Sequence, residues 1–423
     1  MKLKPSAMLF ATALGLLAPS WLLANGMRLV SQDGFAAARG EAFVATADNA
    51  SAVYYNPAGL TQSGTHDFRL GIYGLYLDPA YEPPVGAPNH GQTYHLKNNV
   101  AAAPQFFYAH NLASVPVSLG VGLYAPYGAS VNWPDDTGFR SVGTKAKLTY
   151  LRFNPAAAVE LPLGFSLGAG LMVDYGDIQL EQGLLRTATP FANNFLFRGD
   201  DFSLGYNVGL LWRVHEKISL GATWRSPTSF TMNGHTKFEQ QPIIQPTRLD
   251  AEADFKFPLT VAFGISFRPT PKWNLEINAD YTDWSCLGTI LLRQKAPPPF
   301  PVQQNIPVSM AWQASWNYCA GVTRYLEQGW RVSAGYLFNE SSVPDTYYSP
   351  LAADLDRHFF SLGVGRSGGR YDFDFTYQLG YGPEHRVTGS TPSSQPGLFT
   401  GQTADGTYKF MSHAVLVTLG VHF

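Results

Sequence analysis

Fourteen strand-like runs fill the chain from residue 67 to residue 423, and the connections between them alternate between short and long throughout. The runs fall at 67–78, 95–111, 116–128, 144–160, 164–182, 201–214, 218–233, 247–268, 272–291, 308–325, 329–341, 355–367, 370–386 and 405–423. Many are rich in Val, Leu, Phe, Tyr and Gly with period-two alternation. The short connections are Leu112–Val115, Leu161–Leu163, His215–Lys217, Pro269–Pro271, Leu326–Gln328 and Ser367–Gly369; the long ones are 79–94, 129–143, 183–200, 234–246, 292–307, 342–354 and 387–404. Several runs exceed the usual strand of about 5–6 residues, as membrane-crossing strands of about 9–11 residues do. Tight turns at one end and long loops at the other are the asymmetry of an outer-membrane barrel. A soluble sandwich has no reason to sort its loops by parity. An even strand count brings both chain ends to the periplasmic side.

The last run shows the pattern best. Val415, Val417, Leu419, Val421 and Phe423 share one face, and Ala414, Leu416, Thr418, Gly420 and His422 the other. The first face would meet lipid, with Phe423 at its rim. Closure is obligatory, because an open sheet edge in hydrocarbon leaves backbone groups unpaired at a cost of several kcal/mol each. Tyr73, Tyr76, Trp133, Trp273, Trp284, Trp312 and Trp330 lie near strand ends, where aromatic girdles form; ordinary core packing is the other reading of each. The expected fold is all-β, a 14-stranded antiparallel transmembrane β-barrel over residues 67–423.

Only 14% of the residues are charged and the formal net charge is −2, against about 25% charged in soluble domains. No global field favours nucleic acid. Residues 1–24 read as a signal peptide: Lys2 and Lys4 precede the apolar Met8–Leu17, with cleavage after Ala24. A membrane anchor is the alternative, but Pro19 interrupts the run, which is short for a span. No later stretch of about 18 apolar residues occurs. Cys286 and Cys319 flank the Pro297–Pro301 run; if that run is a hairpin apex, a disulfide between them is open in an oxidising compartment, the other reading being two small buried apolar residues. The ten histidines are scattered without metal spacing. No Gly-x-Ser-x-Gly elbow, P-loop or dinucleotide fingerprint occurs, so neither enzyme chemistry nor a cofactor or metal is expected.

Residues 25–66 lack strand alternation. Gly34, Gly40 and many alanines point to a compact, partly helical segment, expected to plug the barrel. Its most distinctive stretch, Asp48–Leu60, ends in Asn56-Pro57-Ala58-Gly59, which forces a turn.

These segments resemble the FadL family (OmpP1/FadL/TodX-like), outer-membrane transporters of long-chain fatty acids and other hydrophobic compounds. Asp48–Leu60, with Asn56, Pro57 and Ala58, is similar to the family's hatch signature. Tyr124-Ala125-Pro126-Tyr127-Gly128 is similar to its motif after the third strand. Tyr206-Asn207-Val208-Gly209, Trp224-Arg225-Ser226-Pro227, Tyr281-Thr282-Asp283-Trp284-Ser285, Val343-Pro344-Asp345 and Asp354 to His358 follow in family order.

The resemblance implies a fourteen-strand barrel with an N-terminal hatch, capture of substrate by external loops, an apolar pocket and sideways release into the membrane. Candidate ligand contacts are Met27 and the apolar residues Leu184, Leu185, Phe191, Phe195 and Phe197 of the fifth-to-sixth-strand loop, which could instead pack on one another as a loop core. Burying a twelve-carbon chain there would contribute about 10 kcal/mol before binding entropy. Gly120, Gly122 and Pro126 are the candidate lateral gap, since glycine permits a bend and proline cannot donate to the ladder. The family's fatty-acid members pair the substrate carboxylate with interior basic residues. One such position here is the neutral Gln313; another falls near Leu180, with Arg186 a few residues on. Long-chain fatty acids are the expected cargo, and that departure leaves neutral aromatic or alkyl hydrocarbons as the alternative. Expected partners are a hydrophobic small molecule, outer-membrane lipid and lipopolysaccharide, and the barrel assembly machinery. Asp135-Asp136 and Asp200-Asp201 could bind divalent cations with lipopolysaccharide or stand solvated. A diffusion porin and an outer-membrane hydrolase are the alternatives of another class.

Overall fold

The computed structural model describes residues 26–87, 89–112, 114–185, 193–240, 244–298, 302–352, 354–391 and 401–423. The expected signal peptide lies outside them. Among the described residues the strands join into one closed antiparallel barrel of 14 staves. They are β1 (His66–Leu77, continued by Ala80–Glu82), β2 (Tyr94–His95 and Val100–Asn111), β3 (Val117–Tyr124 and Gly128–Asn132), β4 (Lys145–Glu160), β5 (Phe165–Gly183), β6 (Asn193–His215), β7 (Ile218–Arg225 and Thr228–Gln240), β8 (Ile244–Phe257 and Thr260–Thr270), β9 (Trp273–Thr282 and Thr289–Gln294), β10 (Asn305–Ser309 and Ser315–Tyr325), β11 (Trp330–Asn339), β12 (Arg357–Ser367), β13 (Tyr371–Val387) and β14 (Gly406–His422). β1 pairs β14 from Asp67 opposite His422 to Leu77 opposite Ser412, which closes the ring.

The two faces of the wall differ as alternation dictates. On β14, Tyr408, Phe410, Ala414 and Leu416 are buried while Met411, Val415 and Leu419 are exposed. Outward residues such as Ile72, Phe202, Leu204, Phe263 and Leu362 are each more than half exposed. An apolar surface of that extent belongs in lipid. The short turns before β5 and β11 place Leu163 and Gln328 at φ 64° and 57°, followed by Gly164 and Gly329 at 78° and 79°. Two successive positive φ values match the twist of a tight hairpin.

Residues 26–63 lie among the staves, almost all of them buried. Two short helices form, α1 (Gly34–Ala38) and α2 (Ala52–Tyr55), followed by a 3-10 turn over Pro57–Gln62. Asp33 caps α1 by accepting from the Phe35 and Ala36 amides, and Asn56 accepts from the Ala58 amide at the entry to the turn. α1 touches β11 to β14 and the 3-10 turn touches β2 to β6, so the segment reaches the wall on opposite sides.

Wall glycines permit that approach. A Cβ added at Gly168 on β5 would stand 2.3 Å from the Pro57 carbonyl carbon, at Gly221 on β7 2.3 Å from the Val44 oxygen, at Gly321 on β10 2.4 Å from the Arg39 oxygen, and at Gly335 on β11 1.9 Å from the Gly40 nitrogen. Only residues without a side chain fit where backbone meets backbone. Polar bonds complete the seat. Arg39 and Glu276 pair at 3.3 Å, both fully buried. Glu276 also accepts from the Ala45 amide, the Asn278 amide donates to the Glu41 carbonyl, and Asp67 accepts from the Ala50 amide.

Two expectations are corrected here. Of the aromatic residues expected in girdles, Tyr76, Trp273 and Trp330 are exposed, but Tyr73, Trp133, Trp284 and Trp312 are buried. Trp284 and Trp312 sit where β9 and β10 are interrupted, and the Trp133 indole donates to the Pro350 carbonyl at 2.9 Å. The cysteines are free thiols. The β9–β10 hairpin sets Cys319 opposite Asn278, and the Trp312 amide bonds Leu287, the residue after Cys286. Cys286 and Cys319 are thus far out of register.

Candidate functional site

At the long-loop end of the barrel an apolar chamber of about 140 Å³ opens between β4, β5, β6, β8, β9 and β10. Its wall is built by the inward positions of those staves, among them Leu148, Ile178, Phe197, Phe255, Ile290 and Trp312. All of these are buried. Lys147, Glu181, Gln182 and Ser349 also line the chamber, and each is only half-buried. The deep wall carries no charge. An engineered cavity of about 150 Å³ lined by Leu, Ile and Phe stays dry and binds benzene, so this chamber has the size and surface for one small apolar molecule.

Met27 forms part of the same lining, and the residues around it make a partition. The Gly26 amide donates to Asp354 Oδ2 at 3.2 Å, and the Arg28 guanidinium reaches Asp280 at 2.9 Å. Burial pushes the Asp354 carboxyl above the usual carboxylate range. The Leu29 amide donates to the Pro126 carbonyl at 2.8 Å and the Gly128 amide to the Met27 carbonyl at 3.0 Å, so Met27–Leu29 runs as a short strand against the break in β3.

That break opens the wall ladder. Below it, Ser118–Leu123 pairs both β2 and β4. Above it, Gly128–Asn132 pairs β4 and, among the described residues, has no register with β2. Val100–Gln105 of β2 pairs β1 alone. The ladder between β2 and β3 stays open until the Lys97 amide bonds the Asn132 carbonyl at 2.8 Å. Ala129, inside this open stretch, lines the chamber.

A family model described as outer membrane protein transport protein (OMPP1/FadL/TodX) matches residues 16–423. The chain belongs to that family. It is an outer-membrane transporter of hydrophobic compounds. Among curated relatives, the long-chain fatty acid transport protein of Escherichia coli O6:H1 is 22% identical over 415 residues, covering 90% of this chain and 89% of its own length. Outer membrane protein P1 of Haemophilus influenzae is 23% identical over 467 residues, covering 96% and 98%. Among solved structures, a Pseudomonas aeruginosa FadL homologue aligns with a TM-score of 0.80 at 16% identity, covering 94% of this chain and 99% of that one. The Pseudomonas putida toluene transporter TodX aligns at 0.70 and 14% identity, covering 94% and 99%. At those identities the structures speak for the fold.

Within this FadL-family barrel the sequence-predicted residues divide. Met27, Phe195 and Phe197 line the chamber. Leu184 is buried beside it and Leu185 is half-buried, its carbonyl accepting from Arg140 at 2.9 Å. Phe191 and Arg186 lie outside the described residues. The apolar external loop is itself a correction: β6 begins at Asn193, so Phe195 and Phe197 are inward positions of a stave. Gln313 is exposed and stands outside the chamber, whereas its neighbour Trp312 forms the wall. Asn56, Pro57 and Ala58 sit against Gly168 and Gly209 of β5 and β6, remote from the chamber. Of the gap candidates, Pro126 lies in the break, but Gly120 and Gly122 are laddered to β2 and β4. Gly120 instead makes room for Val53 and Leu60 of the N-terminal segment. Leu148, Ile178, Phe255 and Ile290 escaped the sequence reading. Their signal was plain alternation, which marks an inward face without telling a chamber from a core.

Proposed function

We propose that the protein takes up small, neutral hydrophobic molecules, with residues 26–63 as the hatch and the β2–β3 opening as the lateral exit. The observation that carries this reading is the chamber: about 140 Å³, lined by apolar side chains, with charged groups only among its half-buried lining residues. Moving a carboxylate into such a wall without a partner costs far more than a few kcal/mol, whereas a seven-carbon arene such as toluene gains roughly 5 kcal/mol from burial. Even before the cost of binding is subtracted that corresponds to an affinity of only about 0.2 mM, weak enough for a carrier that must also let go. Entry is from the long-loop end. Exit passes Met27–Leu29 and Ala129 into lipid, so cargo need not cross the glycine-sealed seat below.

Fatty-acid uptake is the second reading, in keeping with the name of the E. coli relative. A smaller cavity of about 40 Å³ beyond the partition is lined by Arg28, Arg357, Gln378 and Ser412 among apolar walls. A carboxylate could reach it if Gly26–Val30 shifted. Melting of the purified protein with toluene, dodecane and dodecanoate separates the readings, because a bound ligand raises stability by mass action. Toluene should give the largest shift. A larger shift with dodecanoate would replace the neutral reading with the second one. No shift with any of the three would remove the transport reading of this chamber.

A further inference from the structure

The chamber has a roof. The connection between β11 and β12 leaves its own side of the ring: its 3-10 turn, Pro350–Ala352, crosses the mouth and packs on the outer parts of β3 and β4. Ser349, Leu351 and Ala352 line the chamber from above. Two contacts fasten the turn to this far wall. The Trp133 indole donates to the Pro350 carbonyl at 2.9 Å. Leu351 lies on Gly143, just ahead of β4, so closely that a Cβ there would stand 2.4 Å from the leucine Cγ. Both anchors are prepared. Trp133 is fully buried and held edge to face by Tyr81 and Phe139, with ring centroids 6.5 and 5.6 Å away. At Gly143 bare backbone makes the room that the leucine fills.

The root of the same connection is tied down separately. The Ser342 amide and hydroxyl both donate to Asp354 Oδ2 at 2.8 Å, which draws the two ends of the loop together. His385 of β13 meets Asp345 at 2.8 Å, and the Thr391 amide donates to the Thr346 carbonyl at 2.7 Å. Bonds to carboxylates are the stronger kind. The root is therefore held by the stronger contacts, and the tip by a neutral hydrogen bond and an apolar contact. The tip can lift while the root stays.

We propose that the Pro350–Ala352 turn is the entrance gate of the chamber and that Leu351 is the residue that selects what passes. This rests on the chamber as the cargo site. Lifting the tip takes Leu351 off Gly143 and opens the apolar lining to water, which is unfavourable in proportion to the area exposed. An apolar molecule at the mouth covers that area and stabilises the raised turn. Water, an ion or a sugar does not. A ligand shifts an equilibrium only by its differential affinity for the two states, so the gate opens for greasy cargo and stays shut otherwise. The glycine-lined seat closes the lumen below; this turn governs what enters from above.

The test locks the tip. In the full barrel carrying Cys286→Ser and Cys319→Ala, the pair Gly143→Cys/Leu351→Cys places its two Cβ atoms within the roughly 4 Å that a disulfide spans. The probe is nitrobenzene, a neutral arene close to toluene in size that quenches indole fluorescence. Mixed with the protein in stopped flow, it should quench Trp312 in the chamber wall, and the component that vanishes in Trp312→Phe is the chamber signal. Oxidation should slow that component about tenfold or more, and reduction should restore it, so the reduced protein is its own folding control. Leu351→Ala should speed it about threefold. Equal rates in the oxidised and reduced pair, or an unchanged rate in Leu351→Ala, would overturn the gate and leave the chamber standing. Absence of the chamber signal from the reduced protein would overturn the gate and the chamber reading together.

Discussion

At Gly168, Gly221, Gly321 and Gly335 the wall meets the N-terminal segment backbone to backbone, while farther along the staves it offers Leu148, Ile178, Phe197 and Phe255 to an open chamber. The two regions solve opposite problems. In the seat, backbone packs on backbone and buried polar groups must find partners, because an unpaired one costs about 1–3 kcal/mol. In the chamber, bulky apolar groups meet imperfectly and leave space. A transporter of greasy cargo needs both: a seal that water and ions cannot cross, and a void that something else can fill. Adding volume should therefore be ruinous in one region and mild in the other.

The largest effect is expected at Gly335→Val. Its first added carbon would stand 1.9 Å from the Gly40 nitrogen and 2.0 Å from the Arg39 carbonyl carbon, and backbone cannot move aside as a flexible side chain can. Ordinary overpacking costs about 1–3 kcal/mol; here the segment should leave its seat. Planar-bilayer recording should show a closed barrel become a steadily conducting one. A closed, normally melting Gly335→Val protein would mean that the seat is softer than its geometry.

Next comes Arg39→Ala. It leaves the Glu276 carboxylate buried without its cation, and breaking such a pair costs about 3–5 kcal/mol. Denaturant-induced release of the segment, followed by protease cleavage within residues 26–63, should shift by that amount. Arg39→Met/Glu276→Leu should recover much of the loss, since a buried pair is often replaceable by apolar groups.

A smaller effect is tied to pH. Glu41 sits in the segment at φ 68°, with Ser31 and Tyr55 hydroxyls donating to it at 2.7 Å. Burial, which outweighs the lowering by those two hydroxyls and is assisted by Asp33 and Asp280, holds its carboxyl up at about 7. The released state ionises near the ordinary 4.3, so between roughly pH 4.3 and 7 only the seated state holds the proton. Seating should weaken as pH rises through that window, by at most about 1.4 kcal/mol per unit, and level off above it. Glu41→Gln should flatten the profile of segment release against pH. An unchanged profile would assign the pH dependence to other groups.

The staves were legible because lipid outside and lumen inside enforce period two over long runs, and Asp67–Leu77 or Ala414–Phe423 could hardly be anything else. The seat was half-legible: Asn56-Pro57 announced a turn, but nothing local says that Gly335 faces Gly40. The chamber was misread for a physical reason. Asn193, Phe195 and Phe197 alternate with Asn194, Leu196 and Arg198, and the apolar weight of both sets hid a strand inside what looked like a loop. Gln313 failed by one residue, since parity alone decides whether it or Trp312 faces the lumen, and β10 is interrupted there. Trp133, Trp284 and Trp312 failed likewise while Trp273 and Trp330 did not, because an aromatic near a strand end faces lipid or lumen according to parity.

The smallest effect on stability, and the sharpest contrast with Gly335, is expected at Ala253→Leu. Ala253 is buried on β8 and its methyl faces the chamber, so a leucine there extends into existing space rather than into backbone. The added carbons gain dispersion contacts and lose little freedom, and melting should change by less than about 1 kcal/mol in either direction. Binding should change far more, because three added carbons take up a large share of about 140 Å³. The toluene-induced melting shift should disappear while the barrel stays closed in bilayer recording. If Ala253→Leu melted as poorly as Gly335→Val, the chamber would be a packed core and the division between seat and void would fail. If it melted normally and still bound toluene, the ligand would sit elsewhere in the lumen, and the small cavity beside Arg357 would be the next place to look.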